Sequence, residues 1–400
     1  MKILLGVFIP LIIIIIIIIL VLLFVFRRRI PFLRDLFAYK SPKSNVDLES
    51  NLHHPPSLQE MEALSKSEIE DKYHLTKWIA EENRSRNRYG DMVPYDQSLV
   101  LLGRSWSTAS NHPEPQIAVG EAEQSYINAS YVRRPEYGSR GEALVAFITS
   151  LPEYIATQGP LESTIADFLT MVFEQRCPLI IMLCECEEDG KEKCAQYWPD
   201  GVAQTFHSIR CSVEVRKESE ESSGNIIRRQ LKIHPLSEQV PWTVTQFQFT
   251  GWADYTAPNM ESLYSFINQQ NNFLATHHVG NEYGPVVVHC SAGMGRTGTF
   301  MAAVFLLDRL RRNPHNVDIV GTVLAMRKWR ANLVQTWPQF QFLYNFIDFC
   351  LVKEKASVKQ TTPVAKSVLS AEYENSVKNS QLSAAQPPPP PPPVAPPRSK

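Results

Sequence analysis

The 400-residue chain lacks the features that mark several large classes of protein. Charge of one sign is missing: 40 Lys and Arg nearly cancel 41 Asp and Glu, for a net charge of −1. No global field therefore advertises a nucleic acid as partner. A disulfide framework and a zinc site are missing as well. The seven cysteines (Cys177, Cys184, Cys186, Cys194, Cys211, Cys290 and Cys350) are odd in number and scattered, with no repeated Cys-x-x-Cys spacing. Cys184 and Cys186, within LIIMLCEC, read as strand alternation, and the whole set reads as reduced thiols facing the cytosol. No metal or other cofactor is expected, and no internal repeat is visible. What remains is 44% hydrophobic, enough for one large core or two smaller domains.

One long hydrophobic run is present. Ile3 to Phe26 is unbroken apolar sequence with eight consecutive isoleucines from Ile12, long enough to span a bilayer. Pro10 is tolerable near one end of a membrane helix. A cleaved signal peptide is the alternative, but the run exceeds a normal apolar core segment and no small-residue cleavage site follows. Arg27, Arg28, Arg29 and Arg34 stand after it against Lys2 before it, so the positive-inside bias leaves everything beyond Phe26 in the cytoplasm. The expected layout is a transmembrane signal anchor over 3–26 and a polar juxtamembrane linker over 27–56. A folded domain then occupies 57–354, followed by a disordered tail over 355–400. The tail ends in seven prolines, Pro387 to Pro393, then VAPPRSK.

Within the domain, Val286 to Gly298 reads VVVHCSAGMGRTG. Three valines make a short buried strand. Cys290 follows, then Ser291, Ala292, Gly293, Met294 and Gly295, small or unbranched residues that let the backbone curl its N–H groups toward an oxyanion. Arg296 and Thr297 open an apolar helix whose positive end aims at the same spot. A cysteine held there is expected to be a thiolate nucleophile. Arg296 can fork onto two phosphate oxygens. The chemistry this points to is phosphoryl transfer through cysteine.

HCSAGMGRTG matches without a break the motif HCSAGxGRTG of the cysteine-based protein tyrosine phosphatases, and the resemblance runs from about Leu58 to Val352. NRYGDMVPYD, from Asn87, resembles the family's substrate-recognition loop. The resemblance implies that Tyr89 stacks on the phosphotyrosine ring and that Asp91 accepts hydrogen bonds from the peptide backbone. SYINASYV and YIATQGP resemble scaffold segments, in which Asn128 and Gln158 satisfy buried backbone. EEDGKEKCAQYWP resembles the loop whose Glu188 and Lys193 support the arginine and the acid loop. Exposed charge is an equal alternative for both residues.

Expulsion of a tyrosyl oxygen calls for a general acid. FTGWADYTAP resembles the family's WPDHGVP loop, with Trp252 as anchor and Asp254 as acid. Ala253 replaces Pro, Tyr255 replaces His, and Thr256 and Ala257 replace Gly-Val, so the open–closed balance of the loop is expected to differ. VQTWPQFQF resembles the segment whose first glutamine positions water: Gln335 takes that role and Gln339 a supporting one. Thr297 would donate to the departing thiolate, and His289 would bond nearby backbone rather than act as a base. Arg330 would brace the water loop, with a surface location equally open. Phe342 and Tyr344 read as helix-face core.

The resulting expectation is an α/β fold, a twisted mixed sheet flanked by helices, resembling the tyrosine phosphatases and carrying an N-terminal transmembrane helix. Catalysis would fall to Cys290, Arg296, Asp254, Thr297 and Gln335. Substrate would be held by Cys290 through Arg296, with Asp254, Gln335, Gln339, Tyr89 and Asp91. The implied activity is hydrolysis of phosphotyrosine in membrane-associated proteins, and a second copy of the domain is not expected at this length. The alternative is a phosphotyrosine-binding pseudophosphatase with a weakened acid loop. In the tail, Pro393-Val-Ala-Pro396-Pro-Arg398 fits the pattern read by SH3 domains, beside a plain spacer role or binding to other proline-reading domains. Tyr373-Glu-Asn375 is a weaker candidate for SH2 domains.

Overall fold

The computed structural model describes residues 66–104, 125–138, 142–144, 151–277, 282–314 and 317–355. The apolar run 3–26, the linker 27–56 and the tail beyond residue 355 lie outside the described residues. Among those described, no helix is long and apolar enough to cross a membrane.

Among the described residues there are thirteen strands: β1 Leu99–Leu101, β2 Tyr126–Val132, β3 Glu136–Tyr137, β4 Ala143–Leu144, β5 Tyr154–Thr157, β6 Leu179–Met182, β7 Glu187–Glu188, β8 Lys191–Glu192, β9 Ala203–His207, β10 Ser212–Ser223, β11 Ile226–Pro235, β12 Trp242–Phe249 and β13 Val286–His289. The α-helices are α1 Lys66–Tyr73, α2 Trp78–Glu82, α3 Ile165–Glu174, α4 Met260–His277, α5 Gly295–Arg312 and α6 Ile319–Arg327. A further helix, α7, covers residues 337–355.

Nine strands form one mixed sheet in the order β1-β2-β5-β13-β6-β12-β11-β10-β9, while β3/β4 and β7/β8 are separate hairpins. The centre is parallel: β13 pairs with β5 on one side and β6 on the other, and β6 pairs with β12. Both flanks are antiparallel. The sequence explains the division. YIAT, LIIM and VVVH are buried along their whole length, as strands covered on both faces must be. The outer β10 buries only Val213 and Val215 and turns to exposed Glu and Ser beyond them, as a strand leaving the core does.

Helix α5 is the central one. GRTGTFMAAVFLLDRLRR is buried nearly throughout from Gly295 to Leu307, and only its last turn presents Arg309, Arg311 and Arg312. Its N-terminus meets the C-terminal end of β13, so the middle of the parallel sheet delivers the chain straight into a helix start. Phe342 is buried and Tyr344 packs against the core, as their place on a helix face suggested. Asp96 stabilises α2: its carboxylate accepts from the Trp78 and Ile79 N–H groups at 3.1 and 3.2 Å.

Candidate active site

Cys290 sits at the end of β13, nearly buried, and the loop after it is held from outside by its carbonyls. The Ser291 carbonyl accepts from the Gly159 N–H at 2.9 Å. The Ala292 and Gly293 carbonyls accept from the Arg330 guanidinium at 3.1 and 2.9 Å. In a trans peptide the carbonyl of one residue and the N–H of the next point opposite ways. The N–H groups of Ala292, Gly293 and Met294 therefore face inward, and helix α5 adds its positive end. Gly293 is at φ +71°, and a Cβ there would run into the Thr157 carbonyl, so glycine is the residue that permits this curl.

Arg330 differs from expectation. It is fully buried, which removes the surface alternative, and it braces the cradle rather than the water loop. Besides the two carbonyls it donates to Asn128 Oδ1 at 2.6 Å and Ser130 Oγ at 3.2 Å. Burial lowers its guanidinium to about 10, still charged at neutral pH. Arg327 and Lys328, just before it in the chain, are buried as well.

Arg296 is buried beside Cys290. Its Nη1 donates to Glu188 Oε1 at 2.6 Å and to the Trp252 carbonyl at 2.9 Å. Burial alone would lower this guanidinium, but the neighbouring Cys290 and Glu188 hold it above its usual value. Arg296 Nε and Nη2 and the Thr297 hydroxyl are buried with no hydrogen-bond partner. Buried donors without partners are costly, each by about 1–3 kcal/mol. Three of them on the first two side chains of helix α5 match the needs of a multiply charged oxyanion.

The loop of Trp252 to Pro258 lies against Arg296. Trp252 is buried, packed edge-on against Phe249, and its indole N–H donates to the Thr256 carbonyl at 2.9 Å. Asp254 Oδ2 accepts from Lys193 Nζ at 2.8 Å, and its Oδ1 stands 3.4 Å from Arg296 Nη2. That bond to Asp254 raises the Lys193 ammonium above its ordinary value. Glu188 and Lys193 thus both touch the site, and the exposed-charge alternative falls for each. Tyr255 lies at φ +57° and is 55% exposed. Its carbonyl accepts from the Thr336 hydroxyl at 3.2 Å, joining the acid loop to the segment of Gln335.

Gln335 and Gln339 lie over the cradle. A Cβ on Gly295 would stand 3.1 Å from Gln335 Oε1 and 3.0 Å from Gln339 Nε2. The Tyr89 hydroxyl is 3.0 Å from Ser291 Oγ, and Asp91 is exposed two residues along. Gln158 accepts from the Arg88 N–H at 2.8 Å and donates to the Arg86 carbonyl at 2.9 Å, which holds the Tyr89 loop against the cradle. His289 Nδ1 is 3.2 Å from the Cys290 carbonyl and Nε2 is 2.9 Å from the Tyr197 hydroxyl. A carbonyl only accepts, so the proton sits on Nδ1 and Nε2 accepts from Tyr197. Burial pushes the ring down to about 4, which leaves it neutral and a poor base. The bond from Gln246 to the Tyr197 hydroxyl, 2.6 Å, extends this support in a way the sequence did not disclose.

A buried thiol, an inward ring of amides, an arginine whose Nε and Nη2 have no hydrogen-bond acceptor and a carboxylate beside that arginine together suit a cysteine-centred site for a phosphate group. A family model described as protein-tyrosine phosphatase matches residues 83–348. The receptor-type tyrosine-protein phosphatase eta of Gallus gallus is 34% identical over 279 residues, covering 68% of this chain and 17% of its own. The protein of the same name from Mus musculus is 36% identical over 273 residues, 67% of this chain and 19% of its own. That from Homo sapiens is 37% identical over 271 residues, 67% and 18% respectively. The chain therefore spans less than a fifth of the length of these relatives. It belongs to the protein-tyrosine phosphatase family.

Proposed function

We propose that this chain hydrolyses phosphotyrosine in proteins in two steps through a phosphocysteine on Cys290. The observation that carries the proposal is a set of buried donors with no hydrogen-bond acceptor, Arg296 Nε, Arg296 Nη2 and Thr297 Oγ1, at the start of the helix that follows Cys290. In the first step the Cys290 thiolate attacks phosphorus and the bond to the tyrosyl oxygen breaks. Asp254 gives that oxygen a proton. The amides of 291–296 and the Arg296 fork take the phosphoryl oxygens, more strongly as charge develops than before. Tyr89 packs on the substrate ring and Asp91 accepts from the substrate backbone. In the second step, water held by Gln335 and Gln339 attacks phosphorus while its proton passes to Asp254. The phosphorus–sulfur bond breaks, and the Thr297 hydroxyl donates to the leaving thiolate.

Cys290→Ser tests the scheme: turnover of a phosphotyrosyl peptide is lost while the peptide still binds, since the cradle stays. Substantial turnover in the purified variant would sink the cysteine mechanism. A protein that neither turns over nor binds phosphotyrosine would sink the assignment of substrate.

The reading extends to the ends of the chain. Ile3 to Phe26 is an uncleaved signal anchor that leaves the catalytic domain in the cytoplasm, supported by the length of the run and by Arg27, Arg28, Arg29 and Arg34 after it. The receptor-type naming of the relatives accords with a membrane protein. Pro393 to Arg398 is a docking motif for SH3 domains, with Arg398 set to pair an acidic pocket.

A further inference from the structure

The chain between α6 and α7 holds two of the six non-glycine residues with left-handed backbone among those described, Asn332 at φ +54° and Val334 at φ +62°. A β-branched residue fits that region badly, because its Cβ substituents crowd the backbone. The neighbours show why the chain takes this route. Gly298 lies one turn into α5, and a Cβ there would run into the Val334 nitrogen and stand 2.7 Å from the Leu333 carbonyl carbon. The segment thus rests on the backbone of the helix that carries Arg296. The Val334 N–H reaches the Met294 carbonyl at 3.4 Å.

Arg327 grips the segment from the end of α6. Its Nε donates to the Leu333 carbonyl at 2.9 Å and its Nη2 to the Val334 carbonyl at 2.6 Å. Those carbonyls bracket the left-handed Val334, and the next residue is Gln335. On the far side Gln339 Oε1 accepts from the Gln335 and Thr336 N–H groups at 3.0 and 3.2 Å. The Gln335 backbone is therefore held at both ends, with Arg327 at one of them.

We propose that Arg327 is a positioning residue for the second half of the reaction: by clamping the Leu333 and Val334 carbonyls it holds the left-handed segment in place, and with it the Gln335 amide over the cradle. The inference rests on the two-step scheme above. The groups of the first step are held by other partners, Arg296 by Glu188, the cradle by Arg330 and Asp254 by Lys193. Although the segment also reaches the cradle through the 3.4 Å Val334–Met294 contact, loss of the clamp is therefore felt chiefly by hydrolysis of the phosphocysteine rather than by its formation.

The test is pre-steady-state turnover of p-nitrophenyl phosphate by the full chain in detergent, with phosphocysteine quantified after acid quench. In Arg327→Met, kcat falls by about ten- to a hundredfold, the scale set by a displacement of about 1 Å. KM falls with it, so that kcat/KM, which reports the first step, stays within about twofold. The nitrophenolate burst and the trapped phosphocysteine both rise. Asn332→Gly added to Arg327→Met restores part of kcat, since glycine holds φ > 0 without help. Should Arg327→Met not fold, Arg327→Lys reads the same split, because one ammonium cannot reproduce the fork onto two carbonyls. A fall of kcat/KM in step with kcat and a shrinking burst would overturn the proposal, as would a double variant no faster than the single one. If wild type itself yields no phosphocysteine, the two-step scheme fails first; phosphocysteine in wild type with no split in the variants defeats the Arg327 role alone.

Discussion

Acid should weaken this fold through His289, and the size of the effect follows from its surroundings. Burial pushes the ring down to about 4, whereas in the unfolded chain a histidine titrates near 6.5. The folded value is the lower one, so between about pH 6.5 and about pH 4 the unfolded state binds a proton that the folded state refuses. Stability from the neutral ring is thus intact at and above pH 7 and drains away as pH falls through that window. The gap from about 6.5 to about 4 corresponds to about 3 kcal/mol, of which about 2 kcal/mol is lost by pH 5. Carboxyls act in the opposite sense: burial raises Asp96, Glu174, Glu185 and Asp318. A wild-type profile alone is therefore a mixture, and the informative measurement is a difference. His289→Gln should be less stable than wild type at neutral pH by about 1–3 kcal/mol, from the bonds to the Cys290 carbonyl and Tyr197. Urea unfolding followed by tryptophan fluorescence should show that deficit shrinking by about 2 kcal/mol at about pH 5. A deficit that stays constant or widens on acidification would refute the neutral, buried state of the ring.

Two further outcomes follow from the site and the chain ends. Asp254→Ala should lower kcat by about 10²–10⁴-fold for a phenolic leaving group and by much less for a strongly acidic one, which needs no proton; equal losses on both substrates would remove Asp254 from the acid role. Protease added to intact microsomes should digest the catalytic domain, and a protected domain would overturn the proposed topology. Glycosylation is a poorer readout there, because Asn83 and Asn128, the acceptors of the patterns Asn83-Arg-Ser and Asn128-Ala-Ser, are both buried.

The cradle was legible because it is local. Strand, Cys290, small residues, Arg296 and helix follow one another in VVVHCSAGMGRTG, so spacing alone implied a curled loop feeding a helix start. The strand of Val286 to Val288 was legible as a short unbroken apolar run, but that it lies in the parallel centre of the sheet was not. Asp254 and Gln335 were reachable only through resemblance, because a lone carboxylate or amide in a loop has no local mark of function.

What the sequence by itself determined is the local order of the proposed nucleophile and phosphate grip, Cys290, the small residues and Arg296 within seven positions. Tertiary structure alone decided which charges are buried behind them. Arg330 lies 38 residues from Ala292 and is brought back to it by the packing of helices α5 and α6, while Glu188 lies 108 from Arg296 and is brought to it by the pairing of β6 with β13. An arginine in sequence looks the same whether water or carbonyl oxygen surrounds it. Only the fold, by taking Arg330 and Arg327 out of water and aiming their donors at backbone carbonyls, turns them from surface charge into the supports of the site.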